Sequence, residues 1–322
     1  MTGLIARRLA QLPLILLVIY TLTLWLAWAV PGNPLENPEG RRPPQAVVEQ
    51  MERQYNLDSF PRFYVSYLAS ATGIEYAADA LAGRRPRGPV FNLGPSLQYE
   101  DWTVNEIIAS ALPVSVSLGA AAILIALCIG VPAGIVGAVR PNSAADLATL
   151  VVALIGISLP SFVIGTVVLL VFGVWLSWFP VATWDSPTAA VLPAFTLSLP
   201  FAAYIARLTR MGMIDALGAD YIRTARAKGV RERTVLLRHA LKNAFLPVLS
   251  FLGPATALAM TGSFVIEKVF NVPGLGQHFV NAVQNKDLFL IIGVVLIFAS
   301  MLVLFNLAVD VLYRFVDPRI EQ

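Results

Sequence analysis

Asp220-Tyr221-Ile222-Arg223-Thr224-Ala225-Arg226-Ala227-Lys228-Gly229, followed by Leu237-Arg238-His239-Ala240-Leu241-Lys242-Asn243, is the centre of a polar, strongly basic island running from about Asp215 to Pro247. Long apolar segments lie on either side. The first half of the island carries good helix formers, with the small residues Thr224, Ala225 and Ala227 clustered just ahead of Gly229. Glycine is the usual helix stop, because it alone enters the left-handed region without a Cβ penalty. Beyond it Val235, Leu236, Ala240 and Leu241 are spaced to cover one face of a second helix. Two short helices joined at a glycine, presenting small side chains and cations, suit a docking surface, since small residues let another backbone approach closely. Charge alone is equally compatible with a solvated basic loop, so the flanking sequence has to decide.

Those flanks are membrane-like. Apolar and aromatic residues make up 57% of the chain and charged residues only 13%, with a mean hydropathy of +0.70. A soluble domain cannot hide that much apolar surface. Asp, Glu, Lys and Arg are all missing from Leu9 to Leu35, Ile107 to Val139, Leu147 to Trp184, Ser186 to Ala206, Asn243 to Ile266 and Leu288 to Val309. Each run reaches the roughly 20 residues a helix needs to cross a bilayer core. Six spans are therefore expected, with both termini on one side. The ~10-residue alternating segments of a closed barrel are not seen.

Cation placement orients the chain. Arg7, Arg8, Arg140, Arg314, Arg319 and the island, with Arg207, Arg210, Arg231 and Arg233 beside the residues quoted above, fall on one side. The opposite side has the cation-free turn from Val181 to Ala190 and a loop with only Lys268 and Lys286. The island is expected to be cytoplasmic, and the net charge of +3 expresses this positive-inside bias rather than a nucleic-acid partner. Cys128 is the single cysteine and lies mid-span, which excludes an intrachain disulfide; His239 and His278 have no metal-ligand spacing around them. The first apolar run is too long for a signal-peptide core and has no small-residue cleavage site, so a permanent span is expected.

Taken in order, Trp25 and Trp28 mark the outer end of the first span, and Pro31-Gly32-Asn33-Pro34 breaks it. An outer segment follows with helical patterns at Ala46 to Leu57 and Phe63 to about Leu81, then irregular chain at Gly83 to Pro89. In the second span Gly130-Val131-Pro132-Ala133-Gly134 predicts close packing on a neighbouring helix. Ser158-Leu159-Pro160-Ser161 predicts a kink in the third, and Pro187, Pro193 and Pro200 an irregular fourth. Glu267 to Gly276 reads as a re-entrant or interfacial turn. The halves show no repeat, the span centres hold no Asp, Glu, Lys or Arg, and the chain has no P-loop, zincin or nucleophile-elbow motif.

Six spans, a basic helix pair and no nucleotide site suit a subunit that borrows an ATPase. On the island residues quoted first, the chain resembles the binding-protein-dependent ABC transporter permeases, and within them the dipeptide/oligopeptide permease B subunit. Pro31-Gly32-Asn33-Pro34, Ser158-Leu159-Pro160-Ser161-Phe162, Phe179-Pro180-Val181, Val269-Phe270, Pro273-Gly274-Leu275-Gly276 and Asp317-Pro318-Arg319 extend the match along nearly the whole chain. Arg223, Thr224 and Ala225 stand where the broad permease signature has Glu-Ala-Ala, a form associated with the peptide branch. Asp220 replaces a common Glu there, and the outer loop from about Gly73 to Pro89 looks longer than usual.

The resemblance implies an all-α polytopic membrane protein of six transmembrane helices in the bacterial inner membrane, both termini cytoplasmic. Its organisation would be a first span in 1–30, an extracytoplasmic loop or cap in 31–105, a five-span permease core in 106–316 with a coupling loop at about 213–245, and a cytoplasmic tail in 317–322. It implies an ATP-driven importer of di- and oligopeptides. Its partners are a second homologous permease subunit, two cytoplasmic ABC ATPases, an extracytoplasmic solute-binding protein, the peptide and membrane lipid. Asp220, Tyr221, Arg223, Thr224, Ala225, Arg226, Ala227, Lys228 and Gly229 would form the ATPase-coupling site. No cofactor, metal or catalytic residue is expected in this chain. Nickel chelates, glutathione or modified peptides as cargo remain open, and a self-contained secondary carrier is the rival from another class.

Overall fold

The computed structural model describes residues 2–30, 45–85, 88–99, 101–261 and 264–316. The break at Pro31-Gly32-Asn33-Pro34, the middle of the Gly83 to Pro89 stretch, Gly262 and the tail 317–322 with Asp317-Pro318-Arg319 lie outside the described residues. The helices are α1 (Thr2–Ala29), α2 (Gln45–Gln54), α3 (Phe60–Ala71), α4 (Ile74–Leu81), α5 (Val104–Val139), α6 (Ala144–Ser158) and α7 (Ser161–Val168). After them come α8 (Val191–Gly218), α9 (Asp220–Ala227), α10 (Glu232–Thr234), α11 (Leu241–Ala244), α12 (Leu246–Met260), α13 (Phe264–Phe270), α14 (Leu275–Gln284) and α15 (Leu288–Val316). Among the described residues strand pairing is limited to one bridge, Pro95 with Thr103.

Four helices are long and apolar enough to cross a membrane: Arg8–Ala29, Val104–Val139, Pro187–Gly218 and Leu288–Leu312. Two bent pairs raise the number to six if each is one span, Ala144–Ser158 with Ser161–Trp175 at 105° and Glu232–Ala244 with Leu246–Met260 at 57°. The all-α polytopic class therefore holds. The kink expected in the third span is a break: Leu159 is extended, Pro160 caps α7, and α7 runs into a π-helical turn at Leu169–Trp175. A proline denies its nitrogen to the α6 ladder and biases the preceding residue toward extended backbone.

The fourth span is more regular than its prolines suggest. Pro187 opens a 3₁₀ turn and Pro193 sits in the first turn of α8, where a missing N–H costs nothing; only Pro200 is interior. The outer amphipathic stretch is two helices rather than one, because Gly73 at φ 78° breaks it between α3 and α4. The Glu267 to Gly276 segment is also more helical than expected, with α13 and α14 flanking a short turn at Asn271 to Gly274.

The chain forms two compact units. One comprises Thr2–Pro113 and Gly274–Met301. Its core joins Tyr20 and Leu24 of α1 to Phe63 and Tyr67 of α3, Ile107 of α5 and Leu290 of α15, all nearly inaccessible. The Tyr20 hydroxyl donates to the Tyr64 carbonyl at 2.8 Å, and Trp28 meets Phe60 edge-on at 5.6 Å. Asp287 is fully buried. One of its oxygens accepts from the Leu290 N–H at 3.1 Å and so caps α15; the other takes the Leu97 N–H at 2.9 Å and the Ser96 hydroxyl. Burial pushes this carboxyl above the usual carboxylate range, against the pull of those hydrogen bonds.

The other unit comprises Val114–Pro273 and the segment from Leu302 onward. The glycines of the second span let α8 lie directly on α5. A Cβ on Gly130 would stand 2.6 Å from the Ala202 carbonyl oxygen, and one on Gly134 2.5 Å from Thr209 Cβ. On another side of α8, a Cβ on Gly212 would stand 2.7 Å from the Ala244 carbonyl oxygen of α11. Such backbone proximity is how helices associate where burial from water gives no drive between them.

Candidate coupling site

α8 does not stop at the membrane-like part of its sequence but carries on to Gly218. Ala219, extended at φ −76° and ψ 151°, closes α8 and opens α9. One residue thus turns the chain, so α9 is attached almost rigidly to the end of a 28-residue helix. α9 ends as its sequence predicts. Gly229 lies at φ 73°; its N–H bonds the Arg226 carbonyl at 3.0 Å, and the Val230 N–H bonds the Ala225 carbonyl at 3.2 Å. This paired pattern satisfies carbonyls that the helix end leaves open.

Ile222, 0% exposed, anchors α9 on a small core with Met213, Ala216, Val235, Ala240 and Ala244. Ala225 and Val230 are half-buried against the same core. Asp220, Tyr221, Arg223, Thr224, Arg226, Ala227, Lys228 and Gly229 are exposed. Of the nine expected site residues, eight therefore share the open side and Ala225 faces inward. Between Arg223 and Lys228 the exposed positions are Thr224, Arg226 and Ala227, two of them with short side chains.

The cations differ in their commitments. Arg226 is held bidentately by Glu232, at 2.6 Å and 3.2 Å. Arg223 reaches Asp220 at 3.4 Å, with both side chains largely exposed. Lys228, Arg231 and Arg233 make no ion pair among the described residues. Residues 220–233 hold five cations against two acids, so the open side is positive and suited to charge-assisted hydrogen bonds with a carboxylate-lined partner. Asn243 ties the second segment back to α9 by donating to the Tyr221 hydroxyl at 3.0 Å.

Several contacts here were not foreseen from sequence. The Arg226–Glu232 pair had a signal, since Glu232 is the only acid between Tyr221 and Ile266. The second helix of the island is interrupted by a π-helical turn at Val235–Ala240, for which the apolar spacing held no sign. His239, within that turn, is half-buried. Deeper in the unit, Arg210 of α8 binds Asp146 of α6 through two nitrogens, one of them at 2.7 Å. A pairing 64 residues apart leaves no local trace.

Membrane-crossing helices with a helix corner that projects an exposed basic surface describe an integral-membrane protein. Residues 130–322 match the family described as binding-protein-dependent transport system inner membrane component. The dipeptide transport system permease protein DppB of Bacillus subtilis is 38% identical over 95% of this chain and 94% of its own length. The oligopeptide transport system permease protein OppB of Salmonella typhimurium is 38% identical over 98% of both chains. The chain belongs to this permease family, and is a multi-pass inner-membrane permease subunit of an ABC importer. Among solved structures, the MetNI methionine ABC transporter in inward-facing conformations shares the fold, with a TM-score of 0.51 at 18% identity, over 66% of this chain and 97% of that one. Family membership implies a partner permease and ATPase components, with ATP hydrolysis on those partner chains.

Proposed function

We propose that this chain forms half of the translocation path of an importer for di- and oligopeptides and couples it, through α9, to a cytoplasmic ATPase. The observation that carries the substrate class is identity of 38% over nearly the full chain to permeases named for dipeptide and oligopeptide transport. In this reading the C-terminal end of α8 and all of α9 lie on the cytoplasmic side with both termini, residues 31–105 lie outside, and the core runs from 106 to 316. An extracytoplasmic binding protein delivers the peptide, and two ATPases receive the coupling loops of this chain and its partner permease. Thr224 and Ala227 allow close approach, Gly229 ends the helix without a side chain in the way, and Arg223 and Lys228 pair with acids of the ATPase. Arg226, already held by Glu232, shapes the loop as well as charging it. ATP then acts by changing which permease state the ATPases bind more tightly.

The test is crosslinking from Thr224→Cys in a Cys128→Ser background, in native membranes with the partner subunits present. An adduct with a P-loop ATPase, its yield altered by ATP, supports the coupling reading. An intact chain without that adduct overturns it. Uptake of labelled di- and tripeptides by the same assembly, competed by excess unlabelled peptide and not by a nickel chelate, tests the cargo.

A further inference from the structure

α6 is held in an unusual way. Its first turn carries Asp146, 1% exposed. The carboxylate accepts from Nε and Nη2 of Arg210 on α8, and from the N–H of Asn142 at 2.8 Å in the α5–α6 turn. Gly137 of α5 leaves the space for this: a Cβ there would stand 3.0 Å from Asp146 Oδ1 and 3.4 Å from Arg210 Cδ. Beyond that turn α6 continues along α8, a Cβ on Gly156 standing 3.4 Å from the Leu199 carbonyl oxygen. A cavity of about 260 Å³ opens between α5, α6 and α8, walled by small residues such as Gly130, Ala133, Ala153, Gly156 and Ala202. At its far end α6 stops at the 105° break before α7. The helix is therefore tied by charge at its first turn, bordered by an apolar groove along its middle and broken at its end.

We propose that Asp146 and Arg210 are positioning residues of the coupling step, their ion pair being the pin through which movement of α9, carried by α8, reaches α6. The proposal rests on the reading of α9 as the ATPase-docking helix. Arg210 lies about two turns, on the order of 12 Å, before the α8–α9 corner, on a helix whose end is joined to α9 by one residue. A two-nitrogen guanidinium–carboxylate contact fixes direction as well as distance. Small-residue contacts such as Gly156 against Leu199 and Ala203 hold α6 beside α8 without fixing a direction, so the pair is the charged, directional link through which displacement passes across. The break at Leu159-Pro160 then serves as the pivot.

The experiment uses the assembled transporter in proteoliposomes and reads peptide moved per ATP hydrolysed. Asp146→Asn is expected to lower that ratio at least tenfold, while the ATPases still co-purify and the Thr224→Cys adduct persists. Because this variant leaves a half-buried guanidinium without its partner, it can fail to fold. Asp146→Asn with Arg210→Gln removes both charges and is expected to assemble at normal yield yet remain uncoupled. Arg210→Lys, which keeps charge but loses the fork, is expected to fall between. A double-neutral variant that moves a normal amount of peptide per ATP overturns the pin. So does a parallel fall in transport and ATPase rate at constant ratio, which marks the pair as structural only. Absence of the Thr224→Cys adduct in the otherwise unaltered chain removes the docking reading beneath the proposal, and is distinguishable because it needs no change at Asp146 or Arg210.

Discussion

Gly229 is a residue whose role rests on backbone rather than contacts. A Cβ there would meet nothing within 4 Å, yet its φ of 73° lies in the left-handed region. An L-residue in that region costs about 1–2 kcal/mol. Gly229→Ala is thus expected to weaken the end of α9 by about 1 kcal/mol, raising amide exchange at Gly229 and Val230 roughly fivefold, without disturbing the core under Ile222. Unchanged exchange would mean that the cap does not hold the loop. The empty space above Gly229 is also where a docking partner would lie, so a charged replacement reaches the partner while alanine mainly strains the loop. Arg226 shows the converse. Its type and position marked it as a cation for a partner, but Glu232 already occupies both arms of its fork.

Among elements, the α5–α8 contact depends on glycines that bring backbone close to backbone. At Gly134 a methyl group would stand 2.6 Å from the Ala206 carbonyl oxygen and 3.0 Å from the Arg210 backbone nitrogen. Backbone cannot turn aside as a flexible side chain can. Gly134→Ala is expected to cost about 1–3 kcal/mol, read as an earlier thermal unfolding transition in detergent. Gly218→Ala, with open space around its Cβ, serves as a control and is expected to leave that transition unmoved. The glycine pattern in the sequence predicted close packing of α5; only the fold identifies α8 as the partner. The apolar spacing likewise predicted helices on both sides of Gly229, while the π-helical turn at Val235–Ala240 depends on what lies beneath it.

For the whole molecule, topology follows from charge. The island is cation-rich, and the Val181 to Ala190 turn carries none. Positive-inside retention places these on opposite faces. With Cys128→Ser removing the background thiol, Thr224→Cys is expected to react with a membrane-impermeant maleimide only in inside-out vesicles. Thr183→Cys is expected to react only in right-side-out ones. The reverse pattern would invert the proposed orientation and place α9 beyond the reach of any cytoplasmic ATPase.

The sequence alone determined the all-helical membrane class, the basic loop between two long apolar segments and the glycine that ends its first helix. Each depends on local quantities: hydropathy over a span's length, cations in short loops, and a backbone angle that only glycine enters freely. Tertiary structure alone decided that Ile222 and Ala225 turn inward while Thr224 and Ala227 face out, and that Asp146 holds Arg210. Those outcomes depend on which residues distant in the chain are brought together, and a buried carboxylate is tolerated only where the fold delivers a matching cation to it. Nothing in the sequence near Asp146 shows that such a cation will arrive.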